Sequence, residues 1–94
     1  MKNDLDKLRK EIDKLDDELL HIFAKRIEIV KKIGTLKNNN NLPLVDKKRK
    51  NELLELITKK AESLGLSKEF IKSLYSLIHD HAVKIQASIV KDKD

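Results

Sequence analysis

Residues 5–36, LDKLRKEIDKLDDELLHIFAKRIEIVKKIGTL, carry Leu or Ile at 5, 8, 12, 15, 19 and 22, and again at 29, 33 and 36. The steps run 3, 4, 3, 4, 3 and resume as 4, 3 after one interruption, which is a heptad seam held for more than four repeats. No Pro enters it, and no Gly before Gly34. At the interruption, four residues after Ile22 and three before Ile29, stands Arg26. One helix over about 3–37 is the reading.

Beyond it, Asn38 to Asn41 followed by Leu42-Pro43-Leu44 reads as a stop near Lys37 and a loop over 38–45, because Asn suits turns and the left-handed region and Pro disfavours helix at the residue before it. Asp46 is an N-cap for a second helix, about 46–64, with Leu53, Leu54, Ile57, Ala61 and Leu64 as its buried stripe. Gly65 is the residue that ends it. Ser67 caps a third helix, about 67–90, whose apolar positions are Phe70, Ile71, Leu74, Leu77, Ile78, Ala82, Ile85 and Ile89. The tail from Lys91 to Asp94 reads as frayed.

Composition agrees with an all-α chain read as one domain, 1–94. Two Gly, one Pro and three aromatics are too few for a β-sandwich or barrel. No Cys is present, which removes disulfides and thiolate metal sites and fits a reducing, cytoplasmic compartment. Met1-Lys2-Asn3-Asp4 opens in charged sequence, so no signal peptide is expected, and no apolar run reaches the ~18 residues of a membrane span.

Length argues for a second copy. A helix of ~35 residues extends ~52 Å, whereas a compact chain of this size has a radius of gyration near ~12 Å and a diameter of ~30–35 Å. Helices 2 and 3 cannot cover helix 1, so a two-fold homodimer with antiparallel long helices is expected. The seam is centred near Leu20, which pairs Leu5 with Leu36 of the partner subunit and Ile12 with Ile29 of the partner subunit.

The polar residues within this pattern are cationic. Lys37 lies ~20° round the helix from Arg26 and ~16 Å along it. Arg9 is ~25 Å from Arg26 on the same helix, but antiparallel pairing sets it opposite residue ~32 of the other chain, between Arg26 and Lys37. Three cations then converge twice per dimer. The competing reading ties Arg26 to Glu18 or Glu52 and leaves Arg9 and Lys37 solvated. Lys47, Lys48, Arg49 and Lys50 open helix 2 against its positive dipole end, which suits either a docked anion or a solvated basic face. Gln86 lies within ~40° of the stripe of helix 3, a border position more often exposed than buried; buried, it needs a hydrogen-bond partner. His79 and His81 point to opposite sides of a helix, and His21 has no visible partner, so no metal site is expected. No nucleophile, P-loop or dinucleotide fingerprint is present. With Lys, Arg and a neutral Gln as its polar groups, the site should titrate nowhere between about pH 5.5 and 8.5.

Leu8-Arg9-x-x-Ile12-x-x-Leu15-Asp16-x-x-Leu19-Leu20, Arg26, Ile33-Gly34-x-x-Lys37, Pro43-x-x-Asp46-x-x-Arg49 and Gln86 resemble the all-helical class of chorismate mutases over essentially the whole chain. The resemblance implies an intertwined dimer of three-helix chains with sites shared between subunits, converting chorismate to prephenate on the route to phenylalanine and tyrosine, without cofactor or metal. It implies that Arg9 of the partner subunit and Arg26 hold the two carboxylates. Lys37 also reaches a carboxylate and, with Gln86, hydrogen-bonds the ether oxygen. Arg49 supports the carboxylate site, and Asp46 acts from the helix start near the substrate hydroxyl. Two positions depart from the family pattern: Lys50 stands where many members have Glu for that hydroxyl, and Ala82 where many have Ser. Weaker substrate binding than is typical of the family is the expected consequence. Isochorismate pyruvate-lyases share nearly the same pocket and are the alternative among enzymes. A basic helical nucleic-acid-binding or scaffold dimer, which a net charge of +5 permits, is the alternative outside them. Three aromatics offer little for base stacking, and the cations are spread over all three helices, so neither nucleic acid nor membrane is expected as a partner.

Overall fold

The computed structural model describes residues 2–92. Among them are three α-helices and no strand: α1 Lys2–Asn39, α2 Lys47–Ser63 and α3 Lys68–Asp92. The helix continues through Lys91 and Asp92, where fraying is expected; Lys93, Asp94 and Met1 lie outside the described residues.

Local chemistry accounts for each boundary. α1 runs two residues past the expected stop because the left-handed residue is Asn41, with φ 54°, the last of the four asparagines. Leu42 N–H then donates to Lys37 O at 2.8 Å and Asn41 N–H to Asn38 O at 3.4 Å, while the Asn40 amide donates to Leu36 O at 2.8 Å. This is a Schellman end built on Asn instead of Gly. α2 starts on Asp46, whose Oδ1 accepts from Arg49 N–H at 3.0 Å, and α3 on Ser67, whose Oγ accepts from Phe70 N–H at 3.2 Å. α2 ends in a second Schellman motif, with Leu66 N–H on Ala61 O at 2.9 Å, Gly65 N–H on Glu62 O at 3.1 Å and Gly65 at φ +74°.

A Cβ on Gly65 would touch nothing within 4 Å, so its conformation alone sets the cost of replacement. Gly65→Ala is expected to lose ~1–2 kcal/mol, a drop of about 4–8 °C in thermal midpoint for each kcal/mol, measured by thermal unfolding with the far-UV spectrum unchanged.

α3 is the shared element, packing on α1 through Val30 and Gly34 and on α2 through Thr58 and Ala61. Its inner face carries Ile71, Ala82 and Gln86. Two positions of the expected stripe are not on that face: Phe70 is 60% exposed and Leu77 70%. Leu64 also leaves the α2 stripe, because α2 has ended and Leu64 is its C-cap. The inner face of α3 is rotated away from Phe70 and Leu77 and toward Gln86.

The resulting core is thin. Its buried hydrophobic residues are Val30, Ala61, Ile71 and Ala82, and no large side chain among the described residues is fully buried. The radius of gyration is 17.2 Å and the extents are 58 × 27 × 14 Å, against ~12 Å for a compact chain of this length. Every residue from Lys2 to Ile22 is exposed. So are Ile29, Ile33 and Leu36, on the side of α1 away from α3. The whole heptad seam is therefore uncovered in the single chain. No helix among the described residues is long and apolar enough to cross a membrane.

Candidate active site

Where α1 crosses α3, the helices meet at Gly34. A Cβ there would lie 3.1 Å from Gln86 Cγ, 3.1 Å from Ile89 Cδ1 and 3.3 Å from Gln86 Cα. The missing side chain lets α3 approach and seats Gln86 against α1. Gln86 is 6% exposed, and its Oε1 is buried without a hydrogen-bond partner. Burying an amide oxygen unpaired costs ~1–3 kcal/mol, which the packing of a thin core must offset. O and NH2 of a carboxamide are nearly isosteric and are distinguished by their hydrogen-bond partners. The crossing therefore encloses one polar atom for which this chain supplies no partner.

One turn beyond Gly34 on the same helix, half-buried Lys37 donates from Nζ to Leu44 O at 2.8 Å. The loop after α1 thus holds the ammonium near the crossing, and two of its three N–H donors remain for other acceptors. Arg26 is half-buried and lines a small cleft of about 170 Å³ with His81 and the apolar residues Phe23, Ile27, Val30, Ile78, Ala82 and Ile85. Neither Glu18 nor Glu52 forms a salt bridge with it; the ion pairs found among the described residues are His21–Asp17, Lys31–Glu28 and Lys68–Glu62. Lys50, in the first turn of α2, is half-buried.

These cations act electrostatically on His79, which sequence reasoning weighs only as a metal ligand. Burial lowers the pKa of His79 below 6.5, as do the positive charges of Lys50, Arg26 and Lys37, against an opposing pull from Asp80. Charges on two helices thus act on one imidazole of the third. Searching for metal-ligand spacing tests His79 only against His81. The available signal was its placement seven residues before Gln86, two turns along the same face.

The other sequence-predicted residues stand further out. Ala82 is buried on the α3 face one turn before Gln86. Asp46 and Arg49 are exposed at the start of α2, joined by the capping hydrogen bond. Arg9 is exposed on the bare arm of α1, ~25 Å along the helix from Arg26; one chain does not bring it to the crossing. A larger groove of about 640 Å³ between α2 and α3, lined by Leu54, Thr58, Lys59, Glu62, Lys68 and Ser76 among others, contains none of these residues. Part of its charge is already paired, Lys68 with Glu62 at 3.3 Å.

The crossing can therefore bind an anion and donate hydrogen bonds from a fixed amide and a fixed ammonium. Gly34→Ala tests how tightly it is set. The gain in helix propensity, ~1 kcal/mol, offsets part of an overpacking cost of ~1–3 kcal/mol, so stability should change little. Displacing Gln86 by a few tenths of an ångström should lower turnover by about tenfold, measured as kcat beside the thermal midpoint.

Comparison with known proteins adds the family. The description "chorismate mutase type II" matches residues 8–87. The T-protein of Haemophilus influenzae is 39% identical over 67 residues, 71% of this chain and 18% of that protein. Bifunctional chorismate mutase/prephenate dehydratases are 34% identical over 89 residues in Buchnera aphidicola subsp. Schizaphis graminum (95% of this chain, 23% of that protein) and 33% over 93 in Aquifex aeolicus (96% and 24%). The chain spans about a fifth to a quarter of the length of these relatives. With the match running from Leu8 to Ala87, through Arg9, Arg26, Lys37, Arg49 and Gln86, the chain belongs to the type II chorismate mutase family.

Proposed function

We propose that the chain forms an intertwined two-fold dimer with antiparallel α1 helices, and that each of its two sites rearranges chorismate to prephenate in the biosynthesis of phenylalanine and tyrosine. The observation that carries the reading is the buried, unpaired Oε1 of Gln86 at the Gly34 crossing, with the anchored Lys37 one turn further along α1. Such a pair suits a reaction that needs donors at one developing negative charge and needs no nucleophile.

The dimer follows from the uncovered seam. An isolated arm over 2–22 with leucines and isoleucines on one side gains nothing from tertiary packing. A second arm laid antiparallel on it buries the seam of both chains. The same pairing carries Arg9 of the partner subunit to the level between Arg26 and Lys37. A third cation is added there, ready for a dianion.

The rearrangement breaks the ether C–O bond as the new C–C bond forms, within one molecule. Catalysis is then a matter of holding the substrate folded and stabilising charge on the departing oxygen. Arg26 and Arg9 of the partner subunit grip the two carboxylates, which a planar guanidinium can do bidentately. Lys37 and the NH2 of Gln86 donate to the ether oxygen, and Lys37 also reaches a carboxylate. Arg49 supports the carboxylate site from α2, and Asp46 lies nearest the substrate hydroxyl. Lys50 and Ala82 depart from the pattern that the family resemblance implies, an acceptor and a hydroxyl, so binding is expected to be weaker than is typical. No cofactor takes part. Zero cysteines fit a reducing compartment, and we place the enzyme in the cytoplasm.

The test is an absorbance assay with the purified chain. Loss of the chorismate signal with formation of prephenate supports the reading. Salicylate from isochorismate, with chorismate untouched, moves the chain to the lyase activity, and no reaction with either overturns the enzymatic assignment.

A further inference from the structure

We propose that the loop between α1 and α2 is a positioning device for the Lys37 ammonium, set by the left-handed backbone of Asn41 and acting through the Leu44 carbonyl. The inference rests on the functional reading above, in which Lys37 donates to the ether oxygen, and deepens it.

A lysine ammonium is hard to fix in place. Its four-carbon stem leaves the charge free to swing, and ordering it on substrate binding costs conformational entropy. Here both ends of the residue are tied to one short stretch of chain. The carbonyl oxygen of Lys37 accepts from Leu42 N–H at 2.8 Å, and its Nζ donates to Leu44 O at 2.8 Å. Between those two contacts stands Pro43, whose ring fixes its own φ and favours extended geometry at Leu42. Two residues beyond Leu44, Asp46 caps α2 with its Oδ1 on Arg49 N–H at 3.0 Å. The loop is thus anchored at both ends and stiff in the middle.

Asn41 decides where that stretch goes. Its φ of 54° turns the chain back after α1, which brings Leu42 N–H onto Lys37 O and Leu44 O onto Lys37 Nζ. Asn41 is exposed, so a substitution there acts on the backbone and not on core packing. The left-handed region is open to Gly, tolerated by Asn and an outlier for a β-branched residue. An ammonium has three N–H donors. With one held on Leu44 O, the other two have set directions, and the functional reading gives them two acceptors, the ether oxygen and a carboxylate. Asn41 and Leu44 act only through the group they orient.

The experiment measures kcat and KM for chorismate, with the thermal midpoint, in Asn41→Val, Asn41→Gly and Gly65→Ala, and repeats Asn41→Val in the Lys37→Ala background. Asn41→Val should lower kcat by about tenfold, the effect of a sub-ångström displacement of a catalytic group, with a smaller change in KM. Asn41→Gly enters the left-handed region without penalty and should rescue kcat. Gly65→Ala puts a similar backbone penalty into the other Schellman end, across the ~25 Å length of α2, so it should lower the midpoint and leave kcat unchanged. In the Lys37→Ala background, Asn41→Val should lower kcat no further, because the group it positions is gone. Unchanged kcat in folded Asn41→Val overturns the proposal. So does a loss that Asn41→Gly fails to rescue, that Gly65→Ala shares or that persists without Lys37. Each of these leaves the functional reading standing. Wild-type protein inert toward chorismate overturns both. If Asn41→Val does not fold, Asn41→Ala, with a lesser penalty at the same φ, is read against the same outcomes.

Discussion

Lys37→Ala is expected to lower turnover by ~10²–10³, the usual cost of removing a preorganised donor to developing negative charge, ~3–4 kcal/mol. The fold should lose far less, a drop of about 4–8 °C in thermal midpoint at ~1 kcal/mol. The half-buried Lys37 makes one hydrogen bond, to Leu44 O, and losing it is worth ~1 kcal/mol. Termination of α1 at Asn41 does not depend on the ammonium, because the Lys37 group that the Schellman end uses is its carbonyl oxygen. Parallel measurement of kcat, KM and thermal midpoint separates the two effects. A rate within tenfold of wild type, in a folded variant, removes Lys37 from the mechanism.

How far the fold can be read from the residues depends on which interactions are local. The caps at Asp46 and Ser67 and the left-handed end at Gly65 are legible because each is written in a few adjacent residues and closed by hydrogen bonds over three to five positions. The end of α1 is legible in kind but not in place, since four successive asparagines offer four left-handed candidates and only the hydrogen bonds select Asn41. The inner face of α3 is misread at Phe70 and Leu77 for a different reason. Periodicity reports that a residue is apolar, without reporting whether it serves this chain's core. α1 makes the point most plainly. Its strongest pattern, Leu5 to Leu36, is exposed throughout, while the face that α3 covers is the less regular set Phe23, Ile27, Val30 and Gly34.

The site divides in the same way. Arg26, Lys37 and Gln86 are marked by their order and spacing in the family pattern, whereas periodicity alone sets Gln86 at a border position more often exposed, and it is buried. Gly34 enters only as part of a motif, and its job, letting Gln86 approach, depends on a contact between residues 52 positions apart. The lowered pKa of His79 is hidden because the charges that add to the effect of its burial, Lys50, Arg26 and Lys37, lie on two other helices. A residue's electrostatic surroundings are a property of the crossing, and no window along one helix contains them.

Mixing two inactive variants is expected to restore about one quarter of wild-type activity. Arg9 and Lys37 lie ~42 Å apart on α1, so a site containing both must draw them from different chains. In Arg9→Ala and Lys37→Ala homodimers every site lacks one cation, and each protein should be nearly inactive. A mixed dimer has one site with both defects and one with neither, because the intact Arg9 comes from the Lys37→Ala chain and the intact Lys37 from the Arg9→Ala chain. Random reassortment of equal amounts makes half of the dimers mixed, and half of the sites in those are whole. Two-fold symmetry alone sets the quarter, whatever the individual contribution of either cation. Co-unfolding and refolding the two variants, with a mass tag on one chain to count mixed dimers, provides the measurement. Mixed dimers that form and stay as inactive as the separate variants would mean that each site is complete within one chain. The exposed arm carrying Arg9 would then need another role, and the antiparallel pairing of the seam would be wrong.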